Sequence, residues 1–384
     1  MTTFRDQSID PVMRLVLAAI QVSESPKAFG RIFTDIELSR AFELARRHGI
    51  SALFYMFMRG QESALSSYAI LKRHSKVYLG NVGRNMQVTQ NMIHLLDLLK
   101  EKGIPAIPFK GPVIAVQAYG DIGLRSFCDI DLLIRPGDFH RVYELMESAG
   151  YQSLKSIIAD MKSVWSRTRR NFEFQKGNLL IDFHQQVTTG PGFLELKVQW
   201  DKLSSVDLNG REVPCLCLED TILMLAMHGT HHGWNILKYV ADFAHLVHTH
   251  KDEINWEKLE RKARKMGVLR MVLIGIYLGH DFCGLAVPPR IKENIIKDRI
   301  ADKLVAYFKS RVMAPQKSGL IPQTALPRSM DTWRHQLRYL SYYIFTPTNL
   351  DLLSIRLPMF FYPLYFIMRP IRLVSNLVRG RKVS

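Results

Sequence analysis

The stretch KGPVIAVQAYGDIGLRSFCDIDLLIRPGD, residues 110–138, decides how the whole chain is interpreted. Within it, FCDIDLLI alternates in the way that predicts a β-strand with a buried face. Residues two apart on a strand point to the same side, so Asp129 and Asp131 are expected to project together. Ile130 and Leu132 then enter the core. The stretch therefore predicts a strand that carries two neighbouring carboxylates on one face.

Two carboxylates this close repel each other unless a cation lies between them. Mg²⁺ is the natural occupant, because it is a hard ion that prefers oxygen ligands and substrate phosphates. A third acid, Asp182, lies within the apolar run LLIDFHQQV, where an isolated charge is costly unless it serves a site. Three carboxylates on adjacent strands suit two-metal phosphoryl transfer. Asp-x-Asp alone also occurs in turns and on solvent-exposed faces.

The regions on either side of this stretch differ in pattern. Residues 11–102 have apolar residues three and four apart, which predicts helices, and the helical pattern returns after Leu218. Between them, two hairpins are predicted at Gly177-Asn178 and at Asn209-Gly210. We therefore predict an α+β fold with a small mixed sheet flanked by helical regions. The predicted boundaries are 1–103, 104–217, 218–330 and a basic, aromatic tail at 331–384.

Composition sets the broad class of protein. The chain has 384 residues, of which 47% are hydrophobic and 23% charged, as in a folded protein of about two domains. Lys and Arg exceed Asp and Glu by 52 − 35 = 17, which favours anionic partners. Four cysteines in so long a chain do not form a disulfide framework, and their spacing makes structural zinc improbable.

An ordered series of motifs resembles one known family. The series runs from Pro108-Phe109-Lys110-Gly111 through Tyr119-Gly120-Asp121, Arg125, Asp129–Ile134, Gly150-Tyr151, Ile181–His184, Glu219-Asp220 and His228 to Asp242. It is similar to the signature of the uncharacterised bacterial nucleotidyltransferases of the DNA polymerase beta-type superfamily. The resemblance covers residues 85–250 and extends more loosely to the end of the chain. It implies that residues 104–217 form a nucleotidyltransferase core.

The resemblance also implies roles for the acidic residues. Asp129 and Asp131 would hold two Mg²⁺ ions and the phosphates of a nucleoside triphosphate such as ATP. Asp182 would be the third metal-binding and catalytic carboxylate, placed to help deprotonate the incoming hydroxyl. The wider superfamily has Gly-Ser before the paired acids, whereas the corresponding place here is Lys110-Gly111, about twenty residues upstream. The triphosphate site would then be built from Lys110 and Arg125, with Gly111 allowing close approach of the backbone.

Histidines supply the remaining candidates near the site. His184 shares a strand face with Asp182 and is expected to orient that carboxylate, to contact the nucleotide base, or to be a satisfied core residue. The family resemblance implies that His228 with Asp242 forms a polar link between helices that line the nucleotide cleft. His228 and His232 are one helical turn apart, but the Glu of a His-Glu-x-x-His zinc site is missing.

The two ends of the chain bear on location. The amino terminus, MTTFRDQSID, does not resemble a secretory signal, and no uncharged apolar stretch reaches the roughly 20 residues that span a bilayer. A cytoplasmic protein is expected. Aromatic residues with basic flanks in 355–382 favour peripheral contact with the inner face of a membrane. The same aromatic residues could equally pack back over the catalytic unit or stack on nucleic-acid bases.

Two functions follow from these patterns. The first is a Mg²⁺-dependent nucleotidyltransferase that moves a nucleoside monophosphate to an acceptor hydroxyl and releases pyrophosphate. Its acceptor is expected to be a small molecule or a biosynthetic precursor, since no RNA-binding module is recognisable and nucleic acid is the less favoured partner. The alternative is a catalytically inactive protein that senses nucleotides or interacts with partners near a membrane.

Overall fold

The computed structural model describes residues 9–22, 32–61, 68–154, 171–187, 196–289, 291, 298–313, 325–348, 351, 355 and 357–378. Helices precede the first strand. They are α1 (Pro11–Ala18), α2 (Asp35–Arg47), α3 (Ser51–Arg59) and the long α4 (Tyr68–Glu101). Helix α2 begins with a capping box, in which the Thr34 hydroxyl accepts from the Glu37 amide and the Glu37 carboxylate accepts from the Thr34 amide.

The central part of the chain forms a mixed sheet. Its strands are β1 (Ala106–Pro108), β2 (Asp129–Ile134), β3 (Gln152–Ser153), β4 (Asn171–Lys176) and β5 (Leu179–His184), with helices α5 (Pro112–Tyr119) and α6 (Phe139–Ser148) in the connections. The described strands lie in the order β1-β2-β5-β4-β3. Strands β2 and β5 are parallel, whereas β1–β2, β4–β5 and β3–β4 are antiparallel.

The register of β2 on β5 positions the acidic residues. Asp131 is paired with Asp182 across the two strands, and Asp129 is paired with Leu180. Because side chains at paired positions point to the same face, the carboxylates of Asp131 and Asp182 emerge side by side. The opposite face carries Ile130 and Leu132, both fully buried.

A second hairpin and a set of helices follow the sheet. The hairpin is β6 (Ser204–Asp207) with β7 (Glu212–Cys215), antiparallel. The helices are α7 (Leu218–His231), α8 (Leu237–Thr249), α9 (Trp256–Met266), α10 (Leu269–Cys283), α11 (Arg299–Met313), α12 (Ala325–Arg328), α13 (Trp333–Phe345) and α14 (Leu364–Val378).

Two hydrophobic cores organise the described residues. One lies beneath the sheet and combines β2, β4 and β5 with α6, the β6–β7 hairpin and the second half of α4. The other is built mainly from α1–α3 and α7–α11, with Trp234 and Phe243 among its largest fully buried side chains. Helix α4 contributes Ile70 and Leu71 to the helical core and Val88–Leu99 to the sheet core. This helix therefore joins the two cores.

The predicted α+β class, with a small mixed sheet flanked by helices, is confirmed. The hairpins predicted at Gly177-Asn178 and Asn209-Gly210 are both formed, and the strand predicted around Asp129 and Asp131 is β2. The domain boundaries at 103, 217 and 330 stay a prediction. Among the described residues, no helix combines the length and apolarity that crossing a bilayer requires.

Candidate active site

The carboxylates of Asp131 and Asp182 converge around one buried histidine. His184 Nε2 lies 3.0 Å from Asp131 Oδ1 and 3.0 Å from Asp182 Oδ2. Asn171 on the neighbouring strand donates to Asp182 Oδ2 at 3.4 Å. One ligand atom from each of Asp131, Asp182 and His184 lies within 4.8 Å of the others. The sheet register thus gathers two acids and an imidazole at one point.

Lys110 approaches the same cluster from the end of β1. Its Nζ donates to Asp131 Oδ1 at 2.8 Å, and the two side chains are only 17% and 7% exposed. Burial by itself would raise the pKa of Asp131, but Lys110 and the hydrogen bond from His184 hold it well below its usual range. Asp131 is therefore ionised at neutral pH.

The pKa values of His184 and Asp129 are raised, whereas that of Asp131 is lowered. Burial would lower the pKa of His184, but hydrogen bonds to Asp131 and Asp182 raise it above its ordinary value, which favours the imidazolium. The pKa of Asp129 is raised by burial and by repulsion from Asp131. Asp129 lies outside the group formed by Asp131, Asp182 and His184. Its carboxylate lines the open cavity beside them.

That cavity has a volume of about 460 Å³ and is rich in cationic side chains. It is lined by Arg84, Lys110, Gly111, Arg125, Ser126, Phe127, Cys128, Asp129, Asp131, His228, Lys238 and Tyr239. Gly111 has φ +52° and ψ −120°, a backbone conformation that favours glycine, at the start of α5. A basic cavity with two carboxylates on one wall suits a polyphosphate together with a cation.

Arg125 lines this cavity but is already paired. Its Nε donates to Asp242 Oδ2 at 3.0 Å, and the pair is almost completely buried. Tyr119 donates its hydroxyl to the other oxygen of Asp242 at 2.9 Å. The described residues show no hydrogen bond between His228 and Asp242; the oxygens of Asp242 accept from Arg125 and Tyr119, and His228 packs edge-on against Tyr239. Asp242 positions Arg125 instead.

Sequence reasoning missed Arg84 and Lys238 as residues of this cavity. Lys238 Nζ donates to the carbonyl oxygen of Ser126 at 2.6 Å, and burial together with nearby Arg125 lowers the pKa of Lys238 to about 8. A lysine in the first turn of the mostly apolar helix ILKYVADFAHLV was a usable signal. Arg84 lies on α4 among other polar residues, and no local pattern distinguishes it.

The oxygen atoms of the acidic residues suit the coordination of Mg²⁺. Asp182 Oδ1 is buried and has no hydrogen-bond partner among the described residues. A buried carboxylate oxygen without a donor is costly, and a cation would satisfy it. Carboxylate oxygens are the ligands that Mg²⁺ prefers, whereas imidazole is not. The residues therefore fit Mg²⁺ through Asp131 and Asp182, with Asp129 nearby, and His184 fits a role in positioning the carboxylates.

The chain was found to be similar to one protein family and to several solved structures. Residues 34–284 match the model of a family described as uncharacterised nucleotidyltransferase. No curated protein matches the sequence.

Similar solved structures include the antibiotic-resistance factor ANT(2'')-Ia in solution, at 16% identity and TM-score 0.34 over 47% of this chain and 91% of that one. ANT(2'')-Ia in complex with adenylyl-2''-tobramycin has 17% identity and TM-score 0.34 over 47% and 96%. The lincosamide antibiotic adenylyltransferase LnuA, with lincomycin bound, has 18% identity and TM-score 0.31 over 41% and 94%.

Proposed function

Because the chain belongs to the uncharacterised nucleotidyltransferase family, and is thus a transferase of phosphorus-containing groups, we propose that it moves a nucleoside monophosphate from a triphosphate to an acceptor hydroxyl. In this proposal the acceptor oxygen attacks the α-phosphorus, the bond to the bridging oxygen breaks, and pyrophosphate leaves. The proton of the acceptor hydroxyl passes to a carboxylate of the site.

The observation that carries the proposal is the pairing of Asp131 with Asp182 at the edge of a basic cavity. Asp182 has a buried oxygen without a donor among the described residues, and Asp131 is held ionised. We assign Asp129, Asp131 and Asp182 as the residues that hold metal, two Mg²⁺ ions in all. Bound Mg²⁺ would neutralise the charge that develops on the pyrophosphate. Asp182 is assigned to accept the proton of the acceptor hydroxyl.

The nucleotide is proposed to bind in the cavity lined by Lys110, Gly111 and Arg125. Lys110 Nζ would turn from Asp131 to a phosphate oxygen once a metal ion satisfies that carboxylate. Gly111 offers backbone without a side chain at the cavity wall, and Arg125 is kept in place by Asp242. His184, bonded to both Asp131 and Asp182, would hold the two carboxylates at a constant spacing.

One observation favours the alternative, an inactive protein that senses nucleotides. Lys110 and His184 both contact Asp131 Oδ1, so Asp131 is already satisfied without a metal ion. In that case nucleotide would bind by its phosphates to the basic cavity without metal, and no transfer would follow.

A calorimetric titration with and without Mg²⁺ separates the two functions. We expect a nonhydrolysable ATP analogue to bind at least about tenfold more tightly with Mg²⁺, since metal joins the carboxylates to the phosphates. Pyrophosphate should be released from ATP when an acceptor is supplied, and Asp131→Asn should abolish that release. Binding that is indifferent to Mg²⁺ in wild type and in Asp131→Asn alike would favour the sensing protein.

Peripheral membrane contact through 355–382 is a second proposal, carried by the surface of α14. Its exposed apolar residues recur three and four apart, and they follow Phe360, which is 87% exposed. They are Leu364, Ile367, Ile371 and Val374. Two of the basic residues expected at the membrane do not face it, since Arg369 and Arg372 pair with the buried Asp351. Tyr365 is buried too. Arg356, Arg379, Arg381 and Lys382 lie outside the described residues.

Vesicle flotation tests this contact. Wild-type protein should float with phosphatidylglycerol vesicles, and Ile367→Glu should reduce the bound fraction by more than half, because a charge on the apolar stripe opposes insertion. Ile36→Glu is the control, since Ile36 is as exposed but lies on α2. Equal flotation of the two variants would remove the support for membrane contact.

A further inference from the structure

A second cavity adjoins the candidate nucleotide site on its helical side. It has a volume of about 470 Å³, and Arg84 and Ser126 line both cavities. The two cavities therefore share part of one wall. The second cavity is called the helical cleft here. Its walls come from α2, α3 and α4, through Ser39, Phe42, Glu43, Arg46, Ser51, Ala52, Tyr55, Arg73, His74, Val77, Tyr78 and Asn81.

One face of α4 forms the floor of the helical cleft. Arg73, Val77 and Arg84 are spaced i, i+4 and i+11, so they lie on the same side of the helix. At 1.5 Å per residue, Arg73 and Arg84 are separated by about 16 Å along the helix axis. The cleft thus extends from the edge of the nucleotide cavity far enough to hold a molecule of one or two rings.

The charge of the helical cleft is positive. Glu43 is its acidic residue, and its carboxylate already accepts from Arg46 at 2.8 and 2.9 Å and from Arg47 at 2.9 Å. These bonds lower the pKa of Glu43 to about 2, and they cancel its charge locally. Arg73 and Arg84 have no ion-pair partner among the described residues. An anionic group on a bound molecule would supply one.

Aromatic rings line the middle of the helical cleft. Tyr55 and Tyr78 stack with centroids 4.9 Å apart, and Phe42 and His74 stack with centroids 3.6 Å apart. The pKa of His74 is lowered by burial and by Arg73, so this ring is neutral at pH 7. Stacked rings beside hydroxyl and amide groups, here Ser39, Ser51 and Asn81, are suited to a sugar or an aromatic ring.

We propose that the helical cleft binds the acceptor, and that the acceptor is a ring-bearing small molecule with an anionic group. The inference rests on the proposed nucleotidyl transfer, since it is the shared wall at Arg84 and Ser126 that would bring the acceptor hydroxyl to the nucleotide. The ring packs against Tyr55 and Tyr78, and the carboxylate or phosphate lies at Arg73, the end of the cleft away from the nucleotide.

Two matched probes test the charge of the acceptor. 4-Nitrophenyl β-D-glucuronide and 4-nitrophenyl β-D-glucoside share both rings and differ in the carboxylate. With a nonhydrolysable ATP analogue and Mg²⁺ present, calorimetry should show the glucuronide bound about tenfold more tightly than the glucoside, as expected for one charged hydrogen bond. Arg73→Gln should remove that difference. Lys72→Gln, which removes a charge from an exposed residue of α4 that does not line the cleft, should keep it.

Three results would overturn the inference. The first is that neither probe binds, and the second is that the two bind equally to wild type. The third is that Arg73→Gln weakens the ATP analogue rather than the glucuronide, which would assign the helical cleft to the nucleotide base. 4-Nitrophenyl phosphate in the same titration distinguishes a phosphate requirement from a carboxylate requirement. Failure of the ATP analogue to bind wild type would instead count against the proposed nucleotidyl transfer, because probe binding is measured without turnover.

Discussion

Asp131 and Asp351 are both buried carboxylates with basic partners, and they differ in what surrounds them. The side chain of Asp131 is 7% exposed and that of Asp351 is 3% exposed. Asp131 lies in the sheet, one strand from a second acid, and faces a cavity. Asp351 lies between α13 and α14, where its oxygens bind Arg369 at 2.9 Å, Arg372 at 2.6 Å and the Thr348 amide and hydroxyl at 2.7 Å.

The balance of charge separates a site for a ligand from a structural ion pair. Around Asp131 three acids share one lysine and one histidine, and a buried oxygen of Asp182 has no donor among the described residues. Around Asp351 one acid meets two arginines. The first cluster leaves a carboxylate oxygen that a cation could bind, whereas the second links two helices. Removing an acid should therefore cost activity in the first cluster and stability in the second.

The largest effect is expected for Asp182→Asn. It removes the carboxylate assigned to proton transfer and metal binding while keeping the shape of the side chain. The rate of pyrophosphate release should fall at least about 1000-fold, equivalent to about 4 kcal/mol of transition-state stabilisation. The free energy of unfolding in urea should change by less than about 1 kcal/mol, because one of several repelling charges is lost.

The control for Asp182→Asn is Asp138→Asn. Asp138 follows β2 and pairs with Arg141 at 2.7 Å, outside the cavity. It should keep activity within about twofold of wild type, because neither Asp138 nor Arg141 lines the cavity. An Asp182→Asn variant that retained a tenth of the wild-type rate would contradict the assignment of Asp182.

The reverse outcome is expected for Asp351→Asn. The buried Arg369 and the partly exposed Arg372 would lose their counter-charge, which typically costs about 3 kcal/mol when such a pair is buried. Hydrogen exchange should show lower protection in α13 and α14, while nucleotide affinity per folded molecule stays unchanged. Glu257→Gln is the comparison, because its pair with Arg261 is 3.9 Å long and 66–72% exposed. Unaltered protection of both helices in Asp351→Asn would show that the second cluster does not join them.

Local patterns predicted the elements of the core more completely than their arrangement. Strand β2 and the β4–β5 hairpin follow from period-two alternation and the Gly177-Asn178 turn, which are signals confined to a few residues. The parallel pairing of β2 with β5, about fifty residues later, depends on long-range contacts that no short pattern encodes. Asp182 could be suspected because it interrupts an apolar run, but its place opposite Asp131 could not be derived from spacing.

The same limit explains what was missed in the site. Lys110 and His184 were predicted as site residues from the motif, and both lie beside Asp131. Lys238 and Arg84 come from helices that reach the cavity only after the helical core has packed against the sheet. Arg125 is predicted from sequence as a phosphate ligand, and its pairing with Asp242 depends on the packing of the segment after α5 against α8. Tertiary packing, rather than local pattern, decides which cations face the cavity.

Lys238→Met tests whether the cavity beside Asp131, unlike the ion pairs of Asp351, binds a ligand. Removing this charge should weaken binding of the Mg²⁺–ATP analogue about tenfold, as expected for one charged hydrogen bond. Because burial lowers the pKa of Lys238 to about 8, wild-type affinity should also decline as the pH rises above 8 and the amine loses its proton. Calorimetry from pH 7 to 9 should show this decline in wild type but not in Lys238→Met. Lys251→Met, at an exposed lysine just after α8 that does not line the cavity, should behave as wild type.

The smallest effect concerns a buried group that carries no charge, His48. Its Nδ1 accepts from the Leu237 amide at the start of α8, and burial together with Arg47 lowers its pKa to about 4. The positive end of that helix further opposes protonation. A folded-state pKa below the unfolded value of about 6.5 means that His48 stabilises the protein above pH 6.5 and loses that contribution as the pH falls toward 4. The free energy of unfolding should drop by about 1 kcal/mol by pH 6 through this group.

His48→Gln should flatten that part of the pH profile, whereas His94→Gln, at an exposed position on α4, should leave it unchanged. A profile that His48→Gln does not alter would show that buried neutral histidine contributes nothing to the contrast with the charged cluster at His184.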